Sequence, residues 1–285
     1  MNYRHAFHAG NHADVLKHTV LLALCEALVA KPSACFALDT HAGRGLYRLD
    51  GDDARRTGEA EAGIGAVLAR GTDPVLAPYR AAVDACRAAH GEGAYPGSPW
   101  LLAHALRGQD RIACCELQPE EAAALRRSFA EDARVGVHQR DGYAAIDALL
   151  PPRAGTSRFG RGLVLVDPPY EAQRAEFEPI LASLRSGLLR WPQGMFVLWY
   201  PVKQRATLQP FLRRAAHLPA KSVLVAELMV RPEESALRMN GSGLLLCNPP
   251  WRFEQVLQGL LPALQGVLAP AGGAHRLQWL RQDAA

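Results

Sequence analysis

The four residues Asp167-Pro168-Pro169-Tyr170 combine a carboxylate, a rigid turn and an aromatic ring. They directly follow Leu163–Val166, four apolar residues that predict a short strand buried on both faces. Because proline cannot donate to a sheet and holds the residue before it in extended geometry, the strand must end at Asp167. The sequence therefore predicts a carboxylate at the carboxyl end of a central strand, the edge at which open α/β sheets bind ligands.

This group of residues suits the methylation of an exocyclic amine on a nucleobase. Such an amine is a poor nucleophile, because its lone pair is delocalised into the ring. The Asp167 carboxylate and the Pro168 carbonyl could accept hydrogen bonds from its two N–H groups and so localise the lone pair on nitrogen. Tyr170 could stack on a base taken out of its helix. Asp-Pro-Pro-Tyr here resembles the signature of the amino-methyltransferases, which modify N6 or N4 atoms with S-adenosylmethionine. A strand that merely ends at a proline turn is the alternative.

A second motif, Asn248-Pro249-Pro250-Trp251, follows another apolar run and is also an accepted form of this signature. The order of the predicted strands decides between the two motifs. Three earlier strands each end at a carboxylate: Asp39, Glu116 and Asp141. The strand before Asp167 is then the fourth and should lie beside the first, next to a bound cofactor, whereas the other motif falls at the far side of the sheet. We therefore expect Asp167, not Asn248, to be the chemical centre.

A glycine-bearing turn follows the first predicted strand, Cys35–Asp39. Gly43 and Gly45 give it the shape of the first strand-to-helix crossing in a nucleotide-binding sheet, where small residues let the backbone approach a ligand. The turn is not a complete G-x-G-x-x-G. His41 stands where such turns often carry glycine, so it is either a departure from the pattern or a side-chain contact to the cofactor.

Other polar positions could complete a nucleotide site. Glu116 closes the second predicted strand, where a carboxylate is expected to bind ribose hydroxyls. Asp141 and Gly142 follow the third strand and could read an adenine ring. Ser98 precedes the predicted helix Trp100–Leu106, where it either meets a polar ligand or only caps the helix.

The first eighteen residues contain four histidines, an arginine and a lysine. Asn11 is the predicted N-cap of a helix that carries His18 and Lys17 on its polar face. A metal site is disfavoured, because no carboxylate joins the histidines at a ligand spacing. We interpret residues 1–14 as a segment that contacts substrate or cofactor. A capped surface helix with exposed histidines is the alternative.

Residues 46–95 interrupt the strand pattern with helix-like segments and no strand-like run, which predicts a helical insertion between the first and second strands. The rest of the chain alternates strands and helices, and 285 residues suffice for a single α/β domain. The last predicted elements are the strand pair Ser222–Val230 and Gly243–Cys247, the helix Phe253–Leu268 and a short edge strand, His275–Leu280.

The bulk composition is that of an ordinary globular protein, 49% hydrophobic and 21% charged. A net charge of +4 is compatible with nucleic-acid binding without demanding it. No apolar run approaches the ~20 residues of a membrane span, and the N-terminus lacks the plan of a signal peptide, which predicts a cytoplasmic protein. None of the six cysteines forms a Cys-x-x-Cys pair, so we expect buried, reduced core residues, not zinc ligands or disulfides.

Five blocks of the sequence resemble a single family: Tyr3–His18, Leu38–Gly43, Tyr95–Pro99, Asp167–Glu171 and Asn248–Trp251. The chain resembles, over nearly its full length, the RlmJ family of bacterial large-subunit ribosomal RNA adenine-N6 methyltransferases. The resemblance implies a Rossmann-like class I S-adenosylmethionine-dependent methyltransferase fold, with a seven-stranded, mostly parallel sheet and an inserted helical subdomain. It also implies, as the substrate, the N6 atom of the adenine at position 2030 of 23S rRNA. We expect naked RNA or an early assembly intermediate as the partner, a monomeric enzyme and no metal.

The resemblance makes Asp167 the catalytic acceptor, assisted by Pro168 and Tyr170 as argued above. It implies contacts to S-adenosylmethionine from His18, His41, Ser98, Glu116, Asp141 and Gly142, to which we add Gly43, Asp167 itself and, on charge and position, Lys17. Tyr3 becomes a contact to the target adenosine, and we add Arg4 beside it on charge and position.

Three other functions share some of these features. A DNA adenine methyltransferase would carry the same sheet and motif, but usually also a larger target-recognition domain. A dinucleotide-dependent dehydrogenase would not explain Asp-Pro-Pro-Tyr. A non-catalytic RNA-binding protein on the same fold would bind RNA without turnover.

Overall fold

The computed structural model describes residues 7–51, 56–155, 157–170, 173–235, 239–270 and 272–282. The described strands are β1 (Phe36–Asp39), β2 (Leu46–Arg48), β3 (Ala94–Pro96), β4 (Arg111–Glu116), β5 (Val135–Gln139), β6 (Arg153–Ala154), β7 (Ser157–Arg158), β8 (Gly162–Val166), β9 (Met195–Val202), β10 (Val223–Met229), β11 (Gly241–Cys247) and β12 (Ala274–Arg281). The described α-helices are α1 (His12–Val29), α2 (Ala66–Arg70), α3 (Ala77–His90), α4 (Ser98–Ala105), α5 (Pro119–Ser128), α6 (Gly142–Leu149), α7 (Gln173–Arg190), α8 (Arg205–Ala215) and α9 (Phe253–Leu268).

Eight strands form the central sheet, in the order β12-β10-β11-β9-β8-β1-β4-β5. The strands from β9 to β5 run parallel to one another, and β11, β10 and β12 extend the sheet by antiparallel pairing. The predicted α/β class with a mostly parallel sheet is confirmed. The family resemblance implies seven strands, one fewer than the described sheet contains. The edge strand predicted at His275–Leu280 is present as β12, which pairs with β10 from end to end, with Ala274 opposite Met229 and Arg281 opposite Val223.

Helices cover both faces of the sheet, which explains why β8 is an uninterrupted apolar run. Leu163 and Leu165 point into the hydrophobic core shared with α1, α4 and α9. Val164 and Val166 point into the core shared with α6, α7 and α8. Because alternate side chains of a strand point to opposite faces, a strand covered on both sides needs an apolar residue at every position. The predicted burial of β8 on both faces is confirmed.

Helix α1 begins as predicted, with the side chain of Asn11 accepting the backbone N–H groups of Ala13 and Asp14. The helix then departs from the prediction, because Lys17 and His18 are buried instead of lying on a solvated face. Its other sides pack against α3, α4, α9 and the sheet, so little of its surface remains for solvent. The alternative of a surface helix with exposed histidines is wrong for the described residues.

The segment between β1 and β4 is mainly helical, as predicted, but it also contains two short strands. β2 and β3 pair antiparallel, with Leu46 opposite Pro96 and Arg48 opposite Ala94. Three-residue strands are too short to produce a readable alternation, which is why sequence periodicity missed them. The insertion packs on the start of α1, where the Ile64 N–H donates to the Gly10 carbonyl at 2.8 Å. Its status as a separate subdomain remains a prediction.

All six cysteines are buried, which confirms their prediction as core residues. Across the described ranges, no helix has both the length and the apolarity that a bilayer crossing requires.

Candidate active site

A cavity of about 1080 Å³ opens at the carboxyl ends of β1, β4 and β8. It brings together these residues predicted from the sequence: Lys17, His18, His41, Gly43, Ser98, Glu116, Asp141, Gly142, Asp167, Pro168 and Tyr170. Tyr3 and Arg4 lie outside the described residues. Pockets for one small molecule usually measure roughly 300–1,000 Å³, so this cavity has room for a cofactor and part of a second ligand.

Asp167 lies at the cavity wall where β8 ends, with 14% of its side chain exposed. Its Oδ2 accepts a hydrogen bond from the Lys17 ammonium at 2.5 Å. Among the residues that the structure describes, no other group bonds to this carboxylate, so Oδ1 is free to accept an N–H group from a ligand.

Lys17 joins two carboxylates that are far apart in the sequence. Its Nζ donates to Asp14 Oδ1 at 2.9 Å as well as to Asp167, and only 5% of its side chain is exposed. Burial disfavours the ammonium, but the two carboxylates outweigh it and raise the pKa of Lys17 well above its ordinary value. Lys17 was predicted to contact the cofactor. The geometry instead favours a role in compensating the charge of Asp167. Asp14 was missed as a site residue, although its spacing of three residues from Lys17 on a helix was a readable signal.

Tyr170 is fixed in the wall of the cavity. Its hydroxyl donates to the Trp199 carbonyl at 2.9 Å. Its ring meets Trp199 edge-on, with centroids 5.7 Å apart, and lies tilted against Phe177 at 5.9 Å. These contacts hold the ring in one orientation, as a stacking surface requires.

Glu116 is held by backbone N–H groups at the end of β4. One oxygen accepts from Gly43 at 2.9 Å and the other from Gln118 at 2.7 Å. Burial raises the pKa of Glu116, and these N–H groups oppose the shift. Each carboxylate oxygen retains a lone pair for a hydroxyl group. Gly43 has a φ of +57°, and a Cβ there would overlap the Tyr47 hydroxyl, so the turn requires glycine.

The start of α6 forms the neighbouring wall. Asp141 caps the helix, with Oδ1 accepting the Ala144 N–H at 2.8 Å, and its second oxygen remains available. Gly142 approaches the turn after β1 so closely that a Cβ would overlap the Thr40 carbonyl. Leu117 lines the same cavity with 49% of its surface exposed. An exposed apolar side chain beside polar acceptors suits a flat heterocycle, and sequence analysis missed it because a single leucine carries no pattern.

His41 is held beside Thr40 as a neutral ring. The Thr40 hydroxyl oxygen lies 2.8 Å from His41 Nδ1 and 3.0 Å from the Leu165 carbonyl oxygen, and its one hydrogen can be donated to either. Burial lowers the pKa of His41 to about 4, which keeps the ring neutral at neutral pH.

Ser98 is the first residue of α4, and Gly97 is the N-cap. The alternative that Ser98 only caps the helix is therefore wrong. The helix begins at Ser98, two residues before the predicted start at Trp100. Behind it, His18 Nδ1 contacts the Tyr95 hydroxyl at 3.0 Å, which fixes the orientation of the imidazole at the floor of the cavity.

Asp39 is fully buried at the end of β1. Oδ1 accepts the His41 N–H at 3.3 Å, while Oδ2 has no partner in the part of the chain that is described. Burial raises the pKa of Asp39 to about 7, with the Ser98 hydroxyl and Lys17 opposing the shift. Asp39 itself has no exposed surface and does not line the cavity, whereas its neighbours Thr40 and Ser98 do.

We expect Asp39 to make stability fall as the pH rises from about 4 to about 7. The unfolded chain releases this proton near pH 4, whereas the folded chain keeps it until about 7, so folding takes up a proton within this window. The free energy of unfolding should decrease by about 1.4 kcal/mol per pH unit from this group alone. Asp39→Asn should lack this component in urea unfolding at several pH values, and an unchanged pH slope in the variant would contradict the assignment.

Asn248 lies outside the cavity, at the opposite edge of the sheet. β11 is antiparallel to β9, and Cys247 pairs with Phe196 near the start of that strand. Elsewhere, the described residues contain no group of three or more histidine, cysteine, aspartate or glutamate side chains placed to bind a metal.

Comparisons with known proteins agree on one family. The family model described as "Ribosomal RNA large subunit methyltransferase D, RlmJ" matches residues 32–281. The chain is 38% identical to ribosomal RNA large subunit methyltransferase J of Escherichia coli over 284 residues, which cover 98% of this chain and 99% of the relative. It is 36% identical to the protein of the same name from Haemophilus influenzae over 286 residues, which cover 99% and 100%.

Among solved structures, the chain is similar to protein LPL1258 of Legionella pneumophila, with a TM-score of 0.83 at 33% identity. The match covers 95% of this chain and 98% of that one. The mostly parallel sheet, with its cavity at the carboxyl ends of the strands, is the Rossmann-like fold expected of a class I methyltransferase. By these nearly full-length matches, the chain belongs to the RlmJ family of ribosomal RNA large subunit methyltransferases.

Proposed function

We propose that this methyltransferase transfers a methyl group from S-adenosylmethionine to the exocyclic N6 of an adenine in 23S rRNA. The observation that carries the proposal is the free Oδ1 of Asp167, which lies in one cavity with Glu116 and Asp141. An acceptor for an amine and acceptors for a nucleoside cofactor therefore share one space. The names of the relatives support large-subunit rRNA as the polymer.

The residues present fit this methyl donor. Glu116 keeps lone pairs for ribose hydroxyls, and Leu117 beside Asp141 offers an apolar surface and an acceptor for adenine. The neutral His41 ring and Ser98 are polar groups on the remaining side of the cavity. Carboxylates outnumber the one lysine among the lining residues, so the cavity favours a cationic ligand. S-adenosylmethionine, when bound, supplies an electrophilic methyl group on a positively charged sulfur.

The chain's own part in the reaction is to hold the amine and to take up a proton. Asp167 Oδ1 accepts a hydrogen bond from one N6–H and the Pro168 carbonyl accepts a hydrogen bond from the other. The fixed ring of Tyr170 stacks on the base. This arrangement would leave the N6 lone pair free to form the new N–C bond with the methyl group that the donor supplies, and one N6 proton would pass to Asp167 or to water. Positioning supplies most of the acceleration, and proton acceptance adds to it.

Lys17 contributes to this arrangement through its ion pair with Asp167. A carboxylate taken out of water is expensive unless it is paired, and the buried ammonium compensates its charge. The ion pair also fixes which oxygen faces the substrate, because Oδ2 is occupied. We assign Lys17 to positioning Asp167, not to the cofactor.

The finer features of the substrate remain part of the proposal. They are the adenine at position 2030, naked RNA or an early assembly intermediate as the form that is modified, a monomeric enzyme and a cytoplasmic location. Tyr3 and Arg4 are proposed to contact the target adenosine. Residues 7–11, which follow them, contact the insertion, where the Glu59 carboxylate accepts from Asn11 at 2.9 Å.

The test is to incubate the protein with methyl-labelled S-adenosylmethionine and protein-free 23S rRNA, and then to digest the RNA to nucleosides. We expect label in N6-methyladenosine. Duplex DNA and assembled large subunits are parallel substrates. Label in another nucleoside, or in DNA alone, would overturn the proposal, and RNA binding without any transfer would favour the non-catalytic alternative.

Glu116→Gln is expected to raise the Kd for S-adenosylmethionine about tenfold or more. An amide has one acceptor oxygen, so its NH₂ group would face a backbone N–H of Gly43 or Gln118, and a charged hydrogen bond to ribose is lost. Isothermal titration calorimetry measures the effect. Glu131→Gln, at an exposed position away from the cavity, is the control and should bind like the parent. Equal affinities for both variants would contradict the ribose contact.

A further inference from the structure

The second motif, Asn248-Pro249-Pro250-Trp251, is unused by the catalytic cavity, yet its first residue is held firmly. The Asn248 amide donates to the carbonyls of Pro192 at 3.1 Å and Gly194 at 3.0 Å. Its Oδ1 accepts the Lys221 N–H at 2.7 Å. The Asn248 side chain thus hydrogen-bonds its own loop to the loop before β9 and to the loop before β10, at the edge of the sheet opposite the cavity.

This rigid turn presents a tryptophan to solvent. Trp251 is 84% exposed, the largest exposure among the large hydrophobic residues of the described chain. Asn248 and Arg252, on either side of the turn, have φ angles of +53° and +59°, and they are the two non-glycine residues with positive φ in the described ranges. Such backbone persists only where the surroundings impose it, and it clusters at functional sites. The structure therefore maintains unfavourable backbone on both sides of an exposed indole ring.

The surroundings of Trp251 are basic. The Arg252 guanidinium lies 5.7 Å from the centre of its ring. The Lys221 backbone N–H donates to Asn248 Oδ1. Arg281, the last residue of β12, lies at the same edge of the sheet, opposite Val223 of β10. All three residues are exposed, and within the described part of the chain none forms an ion pair, although the Arg281 guanidinium donates to the Leu218 carbonyl at 3.0 Å. Within the described residues, Glu254, in the first turn of α9, is the carboxylate that accompanies these three cations, so the positive charge of the described patch exceeds the negative.

An exposed aromatic ring with basic side chains at the same edge of the sheet matches the chemistry of unpaired nucleotides. Bases of any sequence stack on an indole face, and phosphates bind the arginines and lysines around it. Protein interfaces, in contrast, have cores depleted of charge and need a larger apolar area than one ring. We propose that Trp251, Arg252, Lys221 and Arg281 form a second RNA-binding site, where one unpaired nucleotide of the substrate stacks on Trp251.

The site is remote from the cavity. Cys247 pairs with Phe196, whereas the cavity borders Pro201, five residues further along β9. This separation corresponds to about 17 Å of strand. The second site therefore holds a different part of the polymer from the target adenine, and it contributes to RNA affinity but not to the reacting geometry. The identity of the polymer as RNA rests on the proposed function.

The test compares the full-length parent protein with Trp251→Ala and Trp251→Phe, using protein-free 23S rRNA as the probe. Trp251→Ala should raise the RNA Kd and KM about tenfold, because one stacked base is lost. The kcat and the Kd for S-adenosylmethionine should stay within twofold of the parent values. Trp251→Phe keeps an aromatic face and should recover most of the affinity. Melting temperatures verify that the variants fold.

Leu189→Ala is the matched control, since Leu189 is an exposed apolar residue just before the loop that binds Asn248. It has no ring to stack on and should bind RNA like the parent. Arg252→Gln should reduce the slope of log Kd against log salt by about 0.7, the value for one phosphate contact on a single strand. Sedimentation velocity without RNA reports whether the patch instead joins two copies of the chain.

Unchanged RNA affinity in Trp251→Ala would overturn the second site. So would an equal loss in Leu189→Ala, or a change in oligomeric state in Trp251→Ala. The proposed function fails separately, if the parent protein methylates no rRNA. In that case, loss of RNA binding in Trp251→Ala with recovery in Trp251→Phe would still support the second site.

Discussion

Asp167→Asn is expected to lower the rate of methyl transfer about 1,000-fold or more, while the Kd for S-adenosylmethionine stays within threefold of the parent value. The asparagine oxygen is the one acceptor on the new side chain, and the buried Lys17 ammonium would bind it. The amide NH₂ group would then face the substrate amine, donor against donor. The variant thus loses both the positioning of N6 and the site that accepts its proton, and general-base catalysis alone contributes about 10²–10⁴-fold.

Single-turnover transfer of labelled methyl to rRNA measures this effect, and calorimetry measures cofactor binding on the same preparations. Asp147→Asn is the control, because Asp147 is an exposed carboxylate on α6, paired with Arg190 away from the cavity. It should retain the parent rate. A rate for Asp167→Asn above about a tenth of the parent rate, or equal losses of rate and cofactor binding, would refute the proposed role.

Local signals in the sequence were enough to predict the framework of the site. The apolar run of β8 and the prolines after it determine where Asp167 lies, and both are readable within eight residues. The carboxylates that close β1 and β4, Asp39 and Glu116, lie at the same edge because the strands are parallel neighbours. Helix α9 has the predicted bounds, Phe253–Leu268, because its start follows a proline turn and its apolar residues keep a helical period.

Contacts between distant parts of the chain were not predictable from these signals. Lys17 contacts a residue 150 positions away, and only the packing of α1 against the sheet turns an apparently solvated lysine into a buried one. β2 and β3 were missed because a three-residue strand is stabilised by its partner and not by its own pattern. The predicted edge strand His275–Leu280 is one residue too short at each end, since β12 pairs with β10 from Ala274 to Arg281. Contacts between distant parts of the chain thus account for each of these differences.

Lys17→Met is expected to lower both stability and activity. The variant leaves the Asp14 and Asp167 carboxylates buried without the cation between them, and removing one partner of a buried ion pair costs about 3–5 kcal/mol. Proton uptake by one of the two carboxyls relieves this repulsion. We therefore expect the methyl-transfer rate to increase with pH over a range where the parent rate is flat, because a protonated Asp167 donates to the amine instead of accepting from it.

The double variant Asp14→Asn/Lys17→Met separates the two effects. Replacing Asp14 removes the second uncompensated charge, so most of the free energy of unfolding should return in urea titrations. Methyl transfer should remain low, because Asp167 still lacks the ammonium that occupies Oδ2 and directs Oδ1 to the substrate. If activity returned together with stability, Lys17 would be a structural residue only. If stability returns without activity, the ammonium on α1 positions the catalytic carboxylate at the end of β8.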